Sequence, residues 1–458
     1  MDPKELGTEK IGTLLRRYAT PAIIAMLASS LYNMVDSIFI GQGVGAMAIS
    51  GMAVTFPLMN ITAAFGTLVG VGCSTLISIL LGQQDNKMAN RVLGNVVILN
   101  VAIGIIVTIL SLLFLDPILY FFGASENTIS YARDYMVVIM LGNVISHVYF
   151  GLNSVLRSAG RPRLAMVSTM LAVILNTILD PIFIFVFKMG IQGAAIATVL
   201  AQIVALVWVV RAFCDKSQVL HFSREIFHFD WRIASRSLAI GLSPFLMNVA
   251  SCFVVILINN QLKKYGGDLA IGAYGIANRL VFLFVTISMG LNQGMQPIAG
   301  YNFGARKFSR VKEVLDKTIF CSMVALTLGF AAGMAMPGLC VSIFTHDVEL
   351  RTIAAKAFRI MVVFFPLVGF QIVVTNFFQC IGKVGKSIFL SLSRQLLFLV
   401  PFLAILPLFL GLDGVWWSLP ASDAVATIVA FFMIRREMRS FERAQAAAGA
   451  EVKPEIEQ

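Results

Sequence analysis

The sequence predicts an all-α polytopic membrane protein with 12 transmembrane helices, arranged in two pseudo-symmetric six-helix lobes with a central cavity. Composition is the first observation behind this fold class: of 458 residues, 58% are hydrophobic and 13% are charged, whereas about a quarter of the residues in a soluble domain are charged. A transmembrane helix takes about 20 mostly apolar residues. The apolar runs are longer than the strands of a membrane β-barrel, which take about ten residues, so we expect helices.

The order of apolar runs and polar breaks divides the chain into spans and connecting segments. The predicted spans are 14–40, 46–82, 91–114, 128–156, 164–187, 192–213, 233–262, 268–303, 314–337, 349–380, 386–408 and 413–436. The predicted domains are a cytoplasmic N-terminus (1–13), a first lobe (14–213), a cytoplasmic linker (214–232), a second lobe (233–436) and a cytoplasmic tail (437–458).

The distribution of basic residues is the second observation. The formal net charge is +11, and such an excess can indicate a nucleic-acid partner. Here most Lys and Arg residues fall in alternate loops, for example at 157–163 and 306–312. The positive-inside rule then places both termini in the cytoplasm. The charge is explained by topology, and we expect no nucleic-acid partner.

An internal duplication is the third observation. The two halves of the chain match each other at one constant separation in sequence. This alignment pairs Gly45 with Gly267, Gly72 with Gly294, and Gly160 with Gly382. Because each half has an even number of spans, the two halves enter the membrane in the same direction. Parallel repeats of this kind are related by an axis along the membrane normal, so we expect the cavity between the two lobes.

Two acidic residues stand within predicted spans, where a carboxylate is costly and usually functional. Asp36 lies in LYNMVDSIFIG, and Asp180 lies in LNTILDPIFIF one turn after Asn176. Because Pro181 has no N–H, it leaves a carbonyl acceptor free beside Asp180. Oxygen-rich surroundings can hold a proton or a small hard cation. The competing interpretation is structural, with Asp36 near a helix end and Asp180 beside a proline kink.

The second half has no matching pair of acids, so the ionisable site is predicted in the first lobe. Asp423, Arg279 and Arg394 lie inside later spans. They are interpreted either as structural ion pairs or as residues of the substrate cavity. His147 is interpreted as a packed core histidine.

No enzyme is predicted. The sequence has no GxxxxGK[ST], HExxH or GxSxG motif, and therefore no sign of ATP-driven pumping, zinc hydrolysis or serine hydrolysis. The six cysteines show no CxxC spacing, which gives no support for a zinc site or a disulfide framework. We expect no cofactor. The energy for transport is expected to come from an ion gradient or from the gradient of the substrate itself.

Three segments carry a resemblance to a known family. VDSIFIGQ ends the first span, GMQPIAGYNFGARKFSRV ends the eighth and GIQGAAIAT opens the sixth. With the duplication, these segments resemble the multidrug and toxic compound extrusion (MATE) transporters over about Gly12 to Arg436, in the prokaryotic branch. The resemblance implies a multi-pass protein of a bacterial or archaeal cytoplasmic (inner) membrane, active in multidrug efflux and antibiotic resistance.

The resemblance also implies a first-lobe coupling site. The matching residues are Asp36, Asn176, Asp180, Thr198 and Tyr135. The coupling ion is H⁺ or Na⁺, and a Na⁺ ion would use the first four of these residues.

Further residues are predicted around the transport path. Asn33, Asn153, Arg279 and Arg394 are candidates for the substrate cavity, and Pro21 and Pro181 are candidate hinges. Another branch of the family uses acids in the second lobe, and this sequence departs from that pattern.

The predicted function is that of a secondary active transporter, which exports organic, mostly cationic amphiphilic compounds by antiport with H⁺ or Na⁺. We expect a monomer surrounded by membrane lipid. The alternative is a flippase for a lipid-linked saccharide or another amphipathic lipid, which would need a cationic cavity for phosphate at Arg279 and Arg394. A receptor or scaffold would need neither buried acids nor two repeated lobes.

Overall fold

The structure, a computed structural model, describes residues 3–345 and 347–451. Within these residues the chain is helical and contains no β-strand. The α-helices are α1 (Ile11–Gly43), α2 (Ala46–Gly82), α3 (Asn86–Leu113), α4 (Leu115–Phe121), α5 (Ile129–Leu141), α6 (Asn143–Ser158), α7 (Pro162–Pro181), α8 (Gly190–Phe213), α9 (Trp231–Gly304), α10 (Phe308–Ala335), α11 (Pro337–Ser342), α12 (Val348–Met361), α13 (Phe365–Cys380), α14 (Val384–Leu392), α15 (Val400–Leu410) and α16 (Leu412–Glu451).

The number of membrane-spanning segments agrees with the predicted topology. In the described ranges, 9 helices are long and apolar enough to cross a membrane, and two bent helix pairs raise the number to 11. In this count α9 provides two spans, because its backbone is not helical at Gly267. The helix α1, with 33 residues, is also longer than the roughly 20 residues that a span needs. Large apolar side chains on these helices, such as Phe121 and Phe409 at 80% exposure, suit contact with lipid. The all-α membrane fold is confirmed.

The chain forms two compact units. The first contains residues 1–5 and 20–249, and the second contains residues 6–19 and 250–458. These units differ from the sequence-based lobes in two segments. The first turns of α1 pack with the second unit, and the beginning of α9 packs with the first unit.

Backbone conformation shows the duplication independently of residue identity. Gly45 and Gly267 both have positive φ angles, 114° and 66°. At the same separation, Gln84 has a φ angle of 62° and Arg306 one of 55°. Because residues other than glycine rarely adopt positive φ, the shared conformation at Gln84 and Arg306 indicates that both halves close the same turn in the same way.

Close helix packing recurs at equivalent glycines. In the first unit, a Cβ atom on Gly72 would lie 2.0 Å from the carbonyl oxygen of Ser237. In the second unit, a Cβ atom on Gly294 would lie 2.6 Å from Ala19 Cα. Backbone therefore packs directly against backbone at both places. Small residues permit this approach between helices in membranes.

Several spans bend at identifiable positions. The helices α5 and α6 meet at Gly142 with an angle of 55°, and α12 and α13 meet with an angle of 57°. A π-helix follows Pro181 at Ile182–Val186, and a second π-helix occupies Ser393–Leu399 between α14 and α15. Short π-helical segments are often found at functional sites.

The C-terminal segment differs from the predicted division at residue 437. The helix α16 does not end there but continues to Glu451. Glu437 lies inside it, buried, and forms ion pairs with Lys383 and Lys386. These ion pairs hold this part of α16 against α14 and the turn that precedes it.

The packing at Gly72 gives a test of the first unit. We expect Gly72→Ala to lower the thermal unfolding temperature of the purified protein, because overpacking typically costs about 1–3 kcal/mol. The matched control is Gly275→Ala, since a Cβ atom on Gly275 meets nothing within 4 Å and alanine favours helix. Equal unfolding temperatures for the two variants would contradict the close approach.

Candidate functional site

Four helices of the first unit bring the predicted coupling residues together. Asp36 lies in α1, Tyr135 in α5, Asn176 and Asp180 in α7, and Thr198 in α8. Asp36 is 5% exposed and Asp180 is fully buried. The site therefore combines residues that are far apart in the sequence into one buried polar cluster.

The two carboxyl groups form the centre of this cluster. The side chains of Asp36 and Asp180 lie close enough to interact with each other electrostatically. Because an ionised carboxylate only accepts hydrogen bonds, a direct hydrogen bond between the two groups needs a proton on one of them. The Oδ1 atom of each carboxyl has no hydrogen-bond partner among the described residues. These two buried oxygens are therefore the candidates to share a proton or a cation.

Asn176 links the carboxyl pair to α8. With its amide oriented to satisfy its neighbours, Asn176 Nδ2 donates to Asp180 Oδ2 over 2.8 Å, and its Oδ1 accepts from the Thr198 backbone N–H over 3.0 Å. The Thr198 hydroxyl lies 2.9 Å from the same amide oxygen. Asn176 and Asp180 can share these partners because residues four apart lie on the same face of a helix.

Two tyrosines complete the cluster. Tyr135 is 2% exposed and lies close enough to Asp36 and Asp180 to interact with both electrostatically. The hydroxyl of Tyr32 lies 3.3 Å from Thr198 Oγ1. Tyr32 was absent from the predicted coupling residues. Its position one turn before Asp36 was the available signal, because that spacing places both side chains on one face of α1.

The backbone beside Asp180 is irregular for a reason found in the sequence. Pro181 ends α7 and is followed at once by the π-helix Ile182–Val186. Proline removes one helical hydrogen bond, and the chain continues with the wider turn, in which the Phe187 N–H donates to the Ile182 carbonyl. The buried acid therefore lies at the point where regular α-helix stops.

The ligand atoms of the cluster are all oxygens apart from one amide nitrogen. Among the residues described, no three His, Cys, Asp or Glu side chains come together as a metal site. Oxygen-only ligands suit a proton or a hard cation. A Na⁺ ion would use the carboxyl, amide and hydroxyl oxygens of Asp36, Asp180, Asn176 and Thr198.

The predicted cavity residue Asn153 lies outside this cluster. Its Nδ2 donates to the Ala165 carbonyl over 2.9 Å and to Ser168 Oγ over 2.7 Å, and its Oδ1 accepts from Arg157. These hydrogen bonds hold Asn153 at the junction of α6 and α7. Asn33 lies in α1, and its side chain is outside the part of the chain that the structure describes.

The two predicted cavity arginines differ from each other. Arg394 lies in the π-helix Ser393–Leu399, and its Nε donates to Asp423 Oδ1 over 2.7 Å. The charge of Arg394 is therefore paired within the second unit. Arg279 lies on an exposed side of α9. Arg279 therefore does not share the Asp423 carboxylate, which is paired with Arg394.

The two predicted hinge residues lie at different kinds of position. Pro21 is inside α1, next to residue 20, where the chain changes from the second unit to the first. Pro181 lies at the change from α-helix to π-helix. Both lack the N–H that an uninterrupted helix uses.

The ion pair in the second unit can be tested by a double-mutant cycle. Removing one partner of a buried pair costs about 3–5 kcal/mol, and we expect Asp423→Leu near the lower end because the Arg394 side chain is 28% exposed. Arg394→Met combined with Asp423→Leu should recover much of the lost unfolding temperature. If the double variant were no more stable than Asp423→Leu alone, the pairing would be refuted.

Comparison with known proteins gives a consistent identification. A family model described as MatE matches residues 21–182 and 239–405. The multidrug export protein MepA of Staphylococcus aureus (strain MSSA476) is 30% identical over 420 residues, covering 92% of each chain. The MepA protein of Staphylococcus haemolyticus (strain JCSC1435) is 29% identical over the same length.

Solved structures agree with the sequence relatives. The MATE multidrug transporter DinF-BH has a TM-score of 0.88 at 35% identity, and the match covers 95% of this chain and 98% of that protein. An outward-facing MATE family transporter of the MOP superfamily has a TM-score of 0.91 at 25% identity, covering 97% and 99%. The chain therefore belongs to the MatE family and is a membrane transporter, not an enzyme.

Proposed function

We propose that this chain exports organic, mostly cationic amphiphilic compounds from the cytoplasm by antiport with H⁺, and that Asp36 and Asp180 carry the coupling proton. The observation that carries the proposal is the contact between the two buried carboxyl groups. Close carboxyl groups cannot both remain ionised at low cost, so the pair needs a proton or another cation. Na⁺ is the other candidate ion for the same oxygens.

The coupling follows from competition for one negative charge. With one proton, the pair still carries a net charge of about −1, which favours a nearby organic cation. A second proton removes that charge and frees both carboxyls to donate hydrogen bonds. The singly and doubly protonated states of the pair then favour different arrangements of α1 and α7. A ligand shifts such a conformational equilibrium by the difference in its affinity for the two arrangements. Pro21 and Pro181 are the proposed sites of these rearrangements.

The names of the relatives support the substrate class. MepA is a multidrug export protein, and DinF-BH is a MATE multidrug transporter. By the same relationship, we propose a bacterial or archaeal cytoplasmic membrane as the location, with both termini cytoplasmic and the protein working as a monomer.

The flippase alternative receives less support from the second unit. A phosphate-binding cavity needs unpaired basic side chains, but Arg394 is bound to Asp423. Arg279 by itself provides one positive charge. The export of organic cations, for which the first unit offers buried acidic oxygens, is therefore the preferred function.

Transport in vesicles tests the proposal. In reconstituted vesicles, we expect an imposed proton gradient to drive movement of a fluorescent organic cation, and Asp36→Asn to reduce that movement to the level of protein-free vesicles. A sodium gradient at equal pH on both sides should have no effect. Transport driven by sodium alone would assign Na⁺ as the coupling ion instead.

Asp134→Asn is the matched control. It is the same chemical change on α5, but Asp134 is exposed and outside the cluster. We expect this variant to transport as the unaltered protein does. Equal losses in Asp36→Asn and Asp134→Asn would show that the defect does not arise at the buried pair.

Substrate affinity should depend on pH with a definite sign. Protonation of the pair removes the negative charge, so the affinity of the unaltered protein for an organic cation should fall as the pH falls. The double variant Asp36→Asn/Asp180→Asn cannot carry this charge, so it should bind the cation more weakly and with little change over the same pH range. Binding can be measured by fluorescence polarisation in detergent. A pH dependence that was unchanged in the double variant would rule out the pair as its source.

A further inference from the structure

Arg157 is a partly buried cation that the coupling site does not use. It lies in the last turn of α6 and is only partly exposed. Its Nη1 donates to Asn153 Oδ1 over 2.7 Å, and its Nη2 donates to Ser154 Oγ over 3.1 Å. These partners precede it by four and three residues. The guanidinium therefore turns back along α6, whereas an arginine near a helix end commonly extends toward the interface.

No carboxylate of a described residue neutralises Arg157. The one titratable side chain that interacts with it in this part of the chain is the phenol of Tyr149, which is uncharged at neutral pH. Arg394 is paired with Asp423, and Lys383 and Lys386 are paired with Glu437. The half-buried Arg310 has no carboxylate partner within the described ranges either, but it donates to Asn302 Oδ1 and to the carbonyls of Leu6 and Glu9. Burying a charge without a counter-charge is costly, and Arg157 has neither a carboxylate nor a backbone carbonyl as a partner among the described residues.

The surroundings of Arg157 hold it in a fixed orientation. Asn153 is 6% exposed and uses its Nδ2 on the Ala165 carbonyl and on Ser168 Oγ. The amide therefore cannot turn without losing these bonds, and its oxygen stays directed at Arg157. A guanidinium has five N–H donors, and two of them are occupied by described residues. The remaining donors have the fork geometry that binds oxyanions.

Nearby arginines do not share this arrangement. Arg161 donates to the Ala212 carbonyl over 2.6 Å and interacts with the carboxylate of Asp215. Arg163 is exposed. The same short segment thus contains one arginine that binds a helix end, one in solvent, and one held in place without an anion.

We propose that Arg157, positioned by Asn153 and Ser154, binds the oxyanion of a ligand at the α6–α7 junction of the first unit. The ligand class is a compound or lipid that carries a phosphate or carboxylate group. By the positive-inside topology this junction faces the cytoplasm, so the ligand reaches it from that side. Such a site is separate from the Asp36–Asp180 pair and would allow the transporter to accept molecules with an anionic group as well as a cationic one.

Thermal unfolding of the full chain tests this site. The protein is placed in nanodiscs of phosphatidylcholine, and inorganic phosphate is titrated against chloride at matched ionic strength. We expect a saturable rise in the unfolding temperature for the unaltered protein and for Arg163→Gln. Arg157→Gln should weaken the apparent phosphate affinity about tenfold or more, the value of one charge-assisted hydrogen bond.

Two further arms keep the result unambiguous. Arg157→Lys retains the charge but loses the fork geometry, so it should bind phosphate with intermediate affinity even if Arg157→Gln folds poorly. Nanodiscs that contain phosphatidylglycerol identify the source of the oxyanion. If phosphatidylglycerol raises the unfolding temperature through Arg157 and abolishes the phosphate effect, a lipid headgroup is the occupant; if phosphate still binds, it is a solute. Equal responses of the unaltered protein, Arg157→Gln and Arg157→Lys to both additions would overturn the proposal.

Discussion

The contact between Asp36 and Asp180 is the interaction on which the rest of the first unit depends. Water does not solvate two carboxyl groups that are buried in an apolar helix bundle, so side chains from four helices surround them with hydrogen-bond donors and oxygen atoms. Burial makes each missing hydrogen bond costly. For the same reason, a change in the proton or ion occupancy of the pair has a large energetic effect. The energetic cost of burying the carboxyl pair and its proposed role in ion coupling thus have the same physical origin, which is the absence of water around the two groups.

Irregular helix geometry is concentrated near the charged groups. The π-helix after Pro181 adjoins Asp180, and the π-helix Ser393–Leu399 contains Arg394. In a membrane, broken backbone hydrogen bonds must be satisfied inside the protein. Both breaks lie beside polar side chains, Asp180 in the first unit and Arg394 in the second. The fifth and the eleventh span thus each contain a π-helical segment, which follows α7 in the first unit and lies between α14 and α15 in the second.

The duplicated backbone carries two different kinds of polar site. Equivalent turns share positive φ angles, as at Gln84 and Arg306, and equivalent glycines at 72 and 294 allow close packing. The first unit nevertheless contains an acidic pair, while the second contains a neutralised pair of Arg394 and Asp423. The repeat therefore conserves packing while its polar residues have diverged, and this asymmetry restricts ion coupling to the first unit in our proposal.

Much of the fold could be predicted from the chain alone, because apolar run length, basic loops and repeated glycines depend on local composition and spacing. The residues Asn176 and Asp180 could be associated because they lie one helical turn apart.

Other relationships required tertiary packing. The contact of Asp36 with Asp180, the inclusion of Tyr32 through Thr198 and the pairing of Arg394 with Asp423 all join different helices. Helix rotation and bending determine such contacts, and no spacing along one chain encodes the rotation of a helix relative to its neighbour. The isolation of Arg157 from carboxylates is likewise visible only once α6 and α7 are packed.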